Sequence, residues 1–325
     1  MQACLVETPG GEFRRVELPR PRPAMNQVLV KISASGVNPL DTKIRAGKAA
    51  HARQPLPAVL GLDMAGTIEE LGPGVTAFRP GDEVYGLAGG VGGLQGTLAE
   101  FIAVDVNLLA HKPKNLSMRE AAALPLSTIT AWEGLIDRAK VHKDQKVLIH
   151  AGAGGVGHIA VQIARAFGAE VFATVSPDKK KIVEDFGASP IDYRTTSVED
   201  YVAAATHGEG FDLVYDTVGG ATLDASFGAV KRYTGHVLSC LGWGSHSLAP
   251  LSFLGATYSG VFTLLPLLTG QGRAHHGKIL AEAAVLVEAG KLRPLLNAQH
   301  FSPATVEAAH ALVEAGALGK AVVEL

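Results

Sequence analysis

Cysteine is scarce: Cys4 and Cys240 are the only two in 325 residues. Two thiols cannot build a disulfide framework, and their use favours no oxidising compartment. Net charge is also small. Lysine and arginine number 29 against 31 aspartates and glutamates, a formal −2, which removes the electrostatic case for nucleic acid or an anionic membrane. The first residues lack a basic-then-apolar leader pattern, because Glu7 follows Leu5 and Val6 at once. A cytoplasmic protein is expected.

Familiar catalytic signatures are missing too. No Gly-x-Ser-x-Gly elbow presents a serine nucleophile. No tyrosine is followed four residues on by lysine. Neither cysteine has metal-ligand spacing, and His275-His276 reads as an exposed loop pair. Charge is absent from Ser247 to Gly272, a length that would span a bilayer. Pro250, Gly255, Gly260 and Pro266 interrupt it, so a short buried strand plus loop is expected there and no membrane segment.

What is present is a glycine turn in a defined setting. Val147–His150 reads as a buried strand and Gly155–Phe167 as an apolar helix. Between and across them, Gly152, Gly154 and Gly157 complete G-x-G-x-x-G. The first glycine permits a tight turn, the second lets a pyrophosphate approach the backbone, and the third lets helix and strand pack closely. Gly152, Ala153, Gly154, Gly155, Val156 and Gly157 are therefore expected to cradle a dinucleotide at the helix N-terminus. A second strand, Glu170–Val175, ends without the acidic residue that would hold a free ribose 2′-hydroxyl. Ser176-Pro-Asp-Lys179-Lys180-Lys follows instead. A serine with lysines suits a 2′-phosphate, so NADP(H) is expected over NAD(H). Asp178 weakens that case, and the lysines also suit a solvated helix turn.

The first third of the chain has the texture of a compact β domain: short alternating strands such as Gln27–Ser33, closely punctuated by glycine and proline. Helices are predicted over 118–124 and 128–138. Thereafter strands (147–150, 170–175, 211–215, 235–240) alternate with helices (155–167, 179–186, 221–230), the pattern of a doubly wound parallel sheet. Helices over 278–289 and 303–315 and a strand over 320–324 close the chain. The fold class is α/β.

Several separated blocks carry a resemblance: Gly36-Val-Asn-Pro-Leu-Asp-Thr-Lys-Ile-Arg-Ala-Gly, Leu60-Gly-Leu-Asp-Met-Ala-Gly, Gly81-Asp-Glu-Val-Tyr-Gly and Leu124-Pro-Leu-Ser-Thr-Ile-Thr-Ala-Trp-Glu. Ala151–Gly157, Asp216-Thr-Val-Gly-Gly and Gly319-Lys-Ala-Val-Val complete the set. Together the chain resembles the zinc-independent quinone oxidoreductase (zeta-crystallin-like) branch of the medium-chain dehydrogenase/reductase superfamily. The resemblance implies a GroES-like catalytic domain over 1–121, a Rossmann NADP(H)-binding domain over 122–261, and a return segment, 262–325, that completes the first. It implies nicotinamide and substrate in the cleft between the two, and a homodimer paired through sheet edges, for which Tyr258–Leu265 is suited.

Zinc-dependent relatives place a cysteine near Asn38 and Gly-His-Glu where Gly61-Leu62-Asp63 stands, so no metal is expected. Hydride transfer then needs a held cofactor and donors for the oxygen that gains charge. The resemblance puts Asn38 and Asp41 near the nicotinamide; both also suit an ordinary turn. Lys43, where quinone reductases often carry tyrosine, stabilises an enolate or points to solvent. Arg273 is matched to an active-site arginine of some relatives, or is a surface residue. Asp63 is expected to be structural. Thr130, Tyr193, Val218, Gly219, Leu241 and Lys320 are the remaining cofactor candidates, Tyr193 beside the 2′-phosphate. The expected acceptor is a quinone; the alternative is an enone or 2-alkenal. A reading of a different class is an NADPH-binding protein with a structural or regulatory role.

Overall fold

The structure, a computed structural model, describes residues 1–325. Its early strands are β1 (Gln2–Val6), β2 (Arg14–Glu17), β3 (Gln27–Gly36), β4 (Ala58–Val59) and β5 (Asp63–Leu71). They continue with β6 (Glu83–Leu87), β7 (Phe101–Asp105), β8 (Leu109–His111), β9 (Lys146–Ile149) and β10 (Glu170–Val175). The last five are β11 (Ser189–Asp192), β12 (Leu213–Asp216), β13 (His236–Ser239), β14 (Thr257–Gly260) and β15 (Val322–Glu324). The helices are α1 (Pro39–Arg45), α2 (Met118–Ala122), α3 (Pro125–Trp132), α4 (Gly155–Ala166), α5 (Lys180–Asp185) and α6 (Val198–Thr206). They end with α7 (Ala221–Ala229), α8 (Ala249–Leu254), α9 (Leu265–Thr269), α10 (Arg273–Glu288) and α11 (Val306–Glu314).

The chain divides into two compact units, one of Met1–Ile129 with Leu264–Leu325 and one of Thr130–Thr263. The first is built on an antiparallel sheet in the order β15-β3-β5-β6-β8, with β7 also on β3, and a smaller sheet β2-β1-β4. Strand β3 is its spine: Val28, Leu29 and Val30 are fully buried. Register at its end matters for function. Gly36 pairs with Asp63 on one side and with Val322 on the other. Gly36 has to be glycine, because a Cβ would stand 2.3 Å from the Ala122 carbonyl oxygen.

The second unit is a six-stranded sheet, β11-β10-β9-β12-β13-β14, parallel throughout. Val147, Leu148 and Ile149 of β9 have no exposed surface; a central parallel strand covered on both faces reads as an unbroken apolar run. Sequence order reverses between β9 and β12. The doubly wound expectation therefore holds.

Four details differ from the sequence reading. Strand β11 and helix α6 lie where no element was expected. Residues 133–138 form a π turn rather than continuing the α-helix; Gly134 there faces the Tyr215 ring, whose Cζ would be 2.7 Å from an added Cβ. Helix α10 begins five residues before the predicted 278. The charge-free stretch is not a buried strand and loop but α8, the largely exposed edge strand β14, and α9. No helix is long and apolar enough to cross a membrane.

Candidate functional site

The glycine turn joins β9 to α4. Missing Cβ atoms are what make it possible. A Cβ on Gly157 would lie 2.1 Å from the Ala151 carbonyl oxygen, and one on Gly152 would lie 2.5 Å from the Ala173 Cβ. Gly154 caps α4 in extended backbone, and Gly155 at its first turn is exposed. Ala153 and Val156 are half-buried. Ala151 itself has φ 53°, the left-handed region that alanine seldom occupies. Thr174 of β10 holds it there: its Oγ1 accepts Ala151 N–H at 3.0 Å, and its carbonyl accepts Gly152 N–H at 2.9 Å. Sequence reading missed Thr174, although it stands one strand away in the expected unit. Free N–H groups at the head of a twelve-residue helix, above a turn with no side chains in the way, fit a pyrophosphate.

Two neighbouring strand ends, β10 and β11, bring together Ser176, Lys179, Lys180, Tyr193 and one residue not foreseen, Arg194. Val175 pairs with Asp192 across the two strands. The Ser176 hydroxyl, with weaker help from Lys179 and Arg194, holds the Asp178 carboxyl below its usual range. Lys180 is paired with Asp192 at 3.7 Å, whereas the Arg194 guanidinium lies 5.7 Å from the exposed Tyr193 ring. The signal for Arg194 was absent because β11 was not recognised.

Across the switch point, the Asp216 carboxylate accepts N–H bonds from Val218 at 3.0 Å and Gly219 at 2.9 Å, and the Ser239 hydroxyl at 2.7 Å. Ser239 Oγ in turn accepts Leu241 N–H at 3.1 Å. Buried Thr130 shares a hydroxyl contact of 2.9 Å with Thr263, and its carbonyl accepts the Tyr215 hydroxyl at 2.7 Å. His150, at the end of β9, is buried with Nδ1 on Thr174 Oγ1 at 3.2 Å and Nε2 without a partner. Burial drives its pKa down to about 4.

The antiparallel unit holds a second polar cluster, delivered by the register at Gly36. Asn38 lies two residues beyond that glycine, Asp63 opposite it, and Lys320 two residues before Val322. The Lys320 ammonium reaches Asp63 Oδ2 at 3.3 Å and also Asn38 Oδ1. Asn38 Nδ2 donates to Asp63 Oδ2 at 2.9 Å, and Leu126 N–H to Asp63 Oδ1 at 2.8 Å. Asp41 Oδ2 accepts Asn38 N–H at 2.8 Å, while its buried Oδ1 has no partner. Burial raises the Asp41 carboxyl to about 7, opposed by the Asn38 N–H and reinforced by the Asp63 charge. Burial likewise raises Asp63, with Lys320 the main counterweight.

Of the catalytic candidates, Asn38 and Asp41 thus meet, together with Lys320 and Asp63. Lys43 is exposed on α1. Arg273 is committed elsewhere, to Asp105 at 3.0 Å and the carbonyls of Pro266 and Leu267 at 3.3 Å each. No three His, Cys, Asp or Glu side chains are arranged to hold a metal ion.

Residues 24–114 match the family model described as alcohol dehydrogenase GroES-like domain, and 155–264 that described as zinc-binding dehydrogenase. An alcohol dehydrogenase superfamily protein from Novosphingobium aromaticivorans is 58% identical, with TM-score 0.98 over 100% of this chain and 99% of its own. The mitochondrial NAD(P)H oxidoreductase RTN4IP1 of Danio rerio is 35% identical across 92% of this chain and 84% of its own. The chloroplastic NADPH-dependent alkenal/one oxidoreductase of Arabidopsis thaliana is 34% identical across 84% of this chain and 64% of its own.

Proposed function

The chain belongs to the medium-chain dehydrogenase/reductase superfamily, and we propose that it is an NADPH-dependent reductase that delivers hydride to a quinone without zinc. The observation that carries the coenzyme in this reading is the glycine turn between β9 and α4, where backbone N–H groups and the absent Cβ atoms of Gly152 and Gly157 leave room for a pyrophosphate. The coenzyme, when bound, supplies a hydride, and a proton from water completes reduction of the acceptor.

The chain's own residues hold and orient. Ser176, Lys179 and Arg194 favour a 2′-phosphate through charge-assisted hydrogen bonds; Lys180 contributes less because Asp192 already neutralises it. Val218, Gly219 and Leu241 form the loops for the nicotinamide half. Asn38 has its Oδ1 occupied by Lys320 and one Nδ2 hydrogen on Asp63. Its second Nδ2 hydrogen is a donor suited to an oxygen that gains negative charge. Lys320 supplies positive charge where zinc-dependent relatives keep metal ligands, and fully buried Leu62 takes the place of their histidine. A 2-alkenal or enone puts charge on its carbonyl oxygen in the same way, and the Arabidopsis relative's name favours that second acceptor class.

The test is calorimetric titration with NADPH and NADH, then steady-state NADPH oxidation against quinones and 2-alkenals in the presence of a chelator. Tighter NADPH binding and chelator-resistant turnover are expected. Binding without turnover of any acceptor would favour a structural or regulatory nucleotide-binding protein instead.

A further inference from the structure

A line of hydrogen bonds crosses the carboxyl ends of four adjacent strands. It starts at β10, where Thr174 Oγ1 takes the Ala151 N–H and meets His150. The His150 carbonyl accepts the Thr217 hydroxyl at 2.7 Å, linking β9 to β12. Asp216 continues it to Ser239 on β13, and Ser239 to Leu241.

Asp216 is the centre of that line and an expensive residue to keep. It has no exposed surface, and its carboxylate is met by two backbone N–H groups and one hydroxyl rather than by a lysine or arginine. A buried carboxylate with hydrogen bonds but no counter-ion costs stability that an apolar side chain would not. What it does is shape two loops at once, 217–220 after β12 and 240–242 after β13. They touch: Gly219 has φ +83°, and a Cβ on it would lie 2.6 Å from the Leu241 carbonyl oxygen.

In a doubly wound sheet the two sides of the switch point serve the two halves of a dinucleotide. The glycine turn and the basic cluster belong to the β9–β10–β11 side; the loops shaped by Asp216 belong to the other. Resting on the dinucleotide reading above, we propose that Asp216 is a positioning residue for the nicotinamide half of the coenzyme, acting through Val218, Gly219 and Leu241 and not by contact.

The test uses Asp216→Asn and Ser239→Ala in the full chain, titrated calorimetrically with NADPH and with adenosine 2′,5′-bisphosphate, which lacks the nicotinamide half. Charge-assisted bonds of this kind are strong enough that Asp216→Asn should weaken NADPH about tenfold. The bisphosphate should change by less than about twofold, since the adenosine side is untouched. Ser239→Ala keeps the bonds to Val218 and Gly219 and frees only the second loop, so a smaller loss, about threefold, with the same selectivity is expected. In coenzyme-free protein, amide exchange at Val218, Gly219 and Leu241 should quicken in Asp216→Asn while Gly152, whose N–H is held by the Thr174 carbonyl, stays protected. Equal losses for both compounds, or unchanged NADPH affinity, would overturn the proposal; if Asp216→Asn does not fold, the same ratio in Ser239→Ala decides. Wild-type protein that binds neither compound would remove the dinucleotide reading itself, and the proposal with it.

Discussion

Lys320→Met takes the only cation out of the cluster formed with Asn38, Asp41 and Asp63, and its cost can be worked from the contacts. Asp63 has no exposed surface and holds the ammonium at 3.3 Å, the Asn38 amide at 2.9 Å and the Leu126 N–H at 2.8 Å. Breaking a buried pair by deleting one partner costs about 3–5 kcal/mol, because the other charge is stranded. Two features lower that figure. The Leu126 and Asn38 donors remain, and burial already raises the Asp63 carboxyl, so the stranded group takes a proton instead of staying charged. About 3 kcal/mol is expected at pH 8 and less at pH 5, where protonation comes cheaply. At roughly 2–4 °C per kcal/mol, the antiparallel unit should melt about 6–12 °C lower at pH 8. Asp63→Asn added to Lys320→Met should restore more than half of the loss, since a neutral amide needs no counter-charge and can donate to the vacated Asn38 Oδ1. Calorimetry and urea unfolding at the two pH values measure all of this. A double variant no more stable than Lys320→Met, or a cost independent of pH, would refute the reasoning.

Asp41 makes a pH prediction of definite sign. Its folded pKa of about 7 stands above the 3.8 of an ordinary aspartate, so the native state binds the extra proton between them; the stabilisation is complete below about pH 4 and lost as pH rises through 7. Asp41→Asn should therefore gain on wild type by up to about 3–4 kcal/mol between pH 4 and pH 8, at 1.4 kcal/mol per unit; urea curves that stay parallel would contradict it. His150, lowered to about 4, has the opposite sense: the parallel-sheet unit should weaken as pH falls from about 6.5 to 4, and His150→Gln should flatten that slope in the same urea series. Arg194→Ala should weaken NADPH about tenfold and NADH by less than about twofold, with Lys180→Ala milder; equal losses in calorimetry would remove Arg194 from the 2′-phosphate site. Gly157→Ala must push α4 off the Ala151 carbonyl, a clash of about 1–3 kcal/mol, and should lower both the melting temperature and dinucleotide affinity.

What could be read from the sequence was whatever depends on local chemistry. The glycine turn is an example: its cause, absent Cβ atoms at Gly152 and Gly157, is written in the residues themselves. Alternation of strand and helix from Val147 onward was legible for the same reason. Strand β11 was not, since Ser189-Pro190-Ile191-Asp192 carries little strand signal and is fixed by the open side of β10. Its absence from the reading hid Arg194. Nor could the sequence join Lys320 to Asp63, 257 residues apart; the register at Gly36 does that. The π turn at 133–138 depends on the Tyr215 ring filling the space above Gly134, a contact between distant residues that no periodicity records.

Because Val322 borders Gly36 in the finished sheet, the opening portion of the polypeptide waits for the closing one. Residues 130–263 are contiguous and have no such wait, so on the ribosome they can settle first. Until Lys320 emerges, Asp63 has no cation to meet, and Ala34–Gly36 at the end of β3 lack the neighbour that β15 supplies.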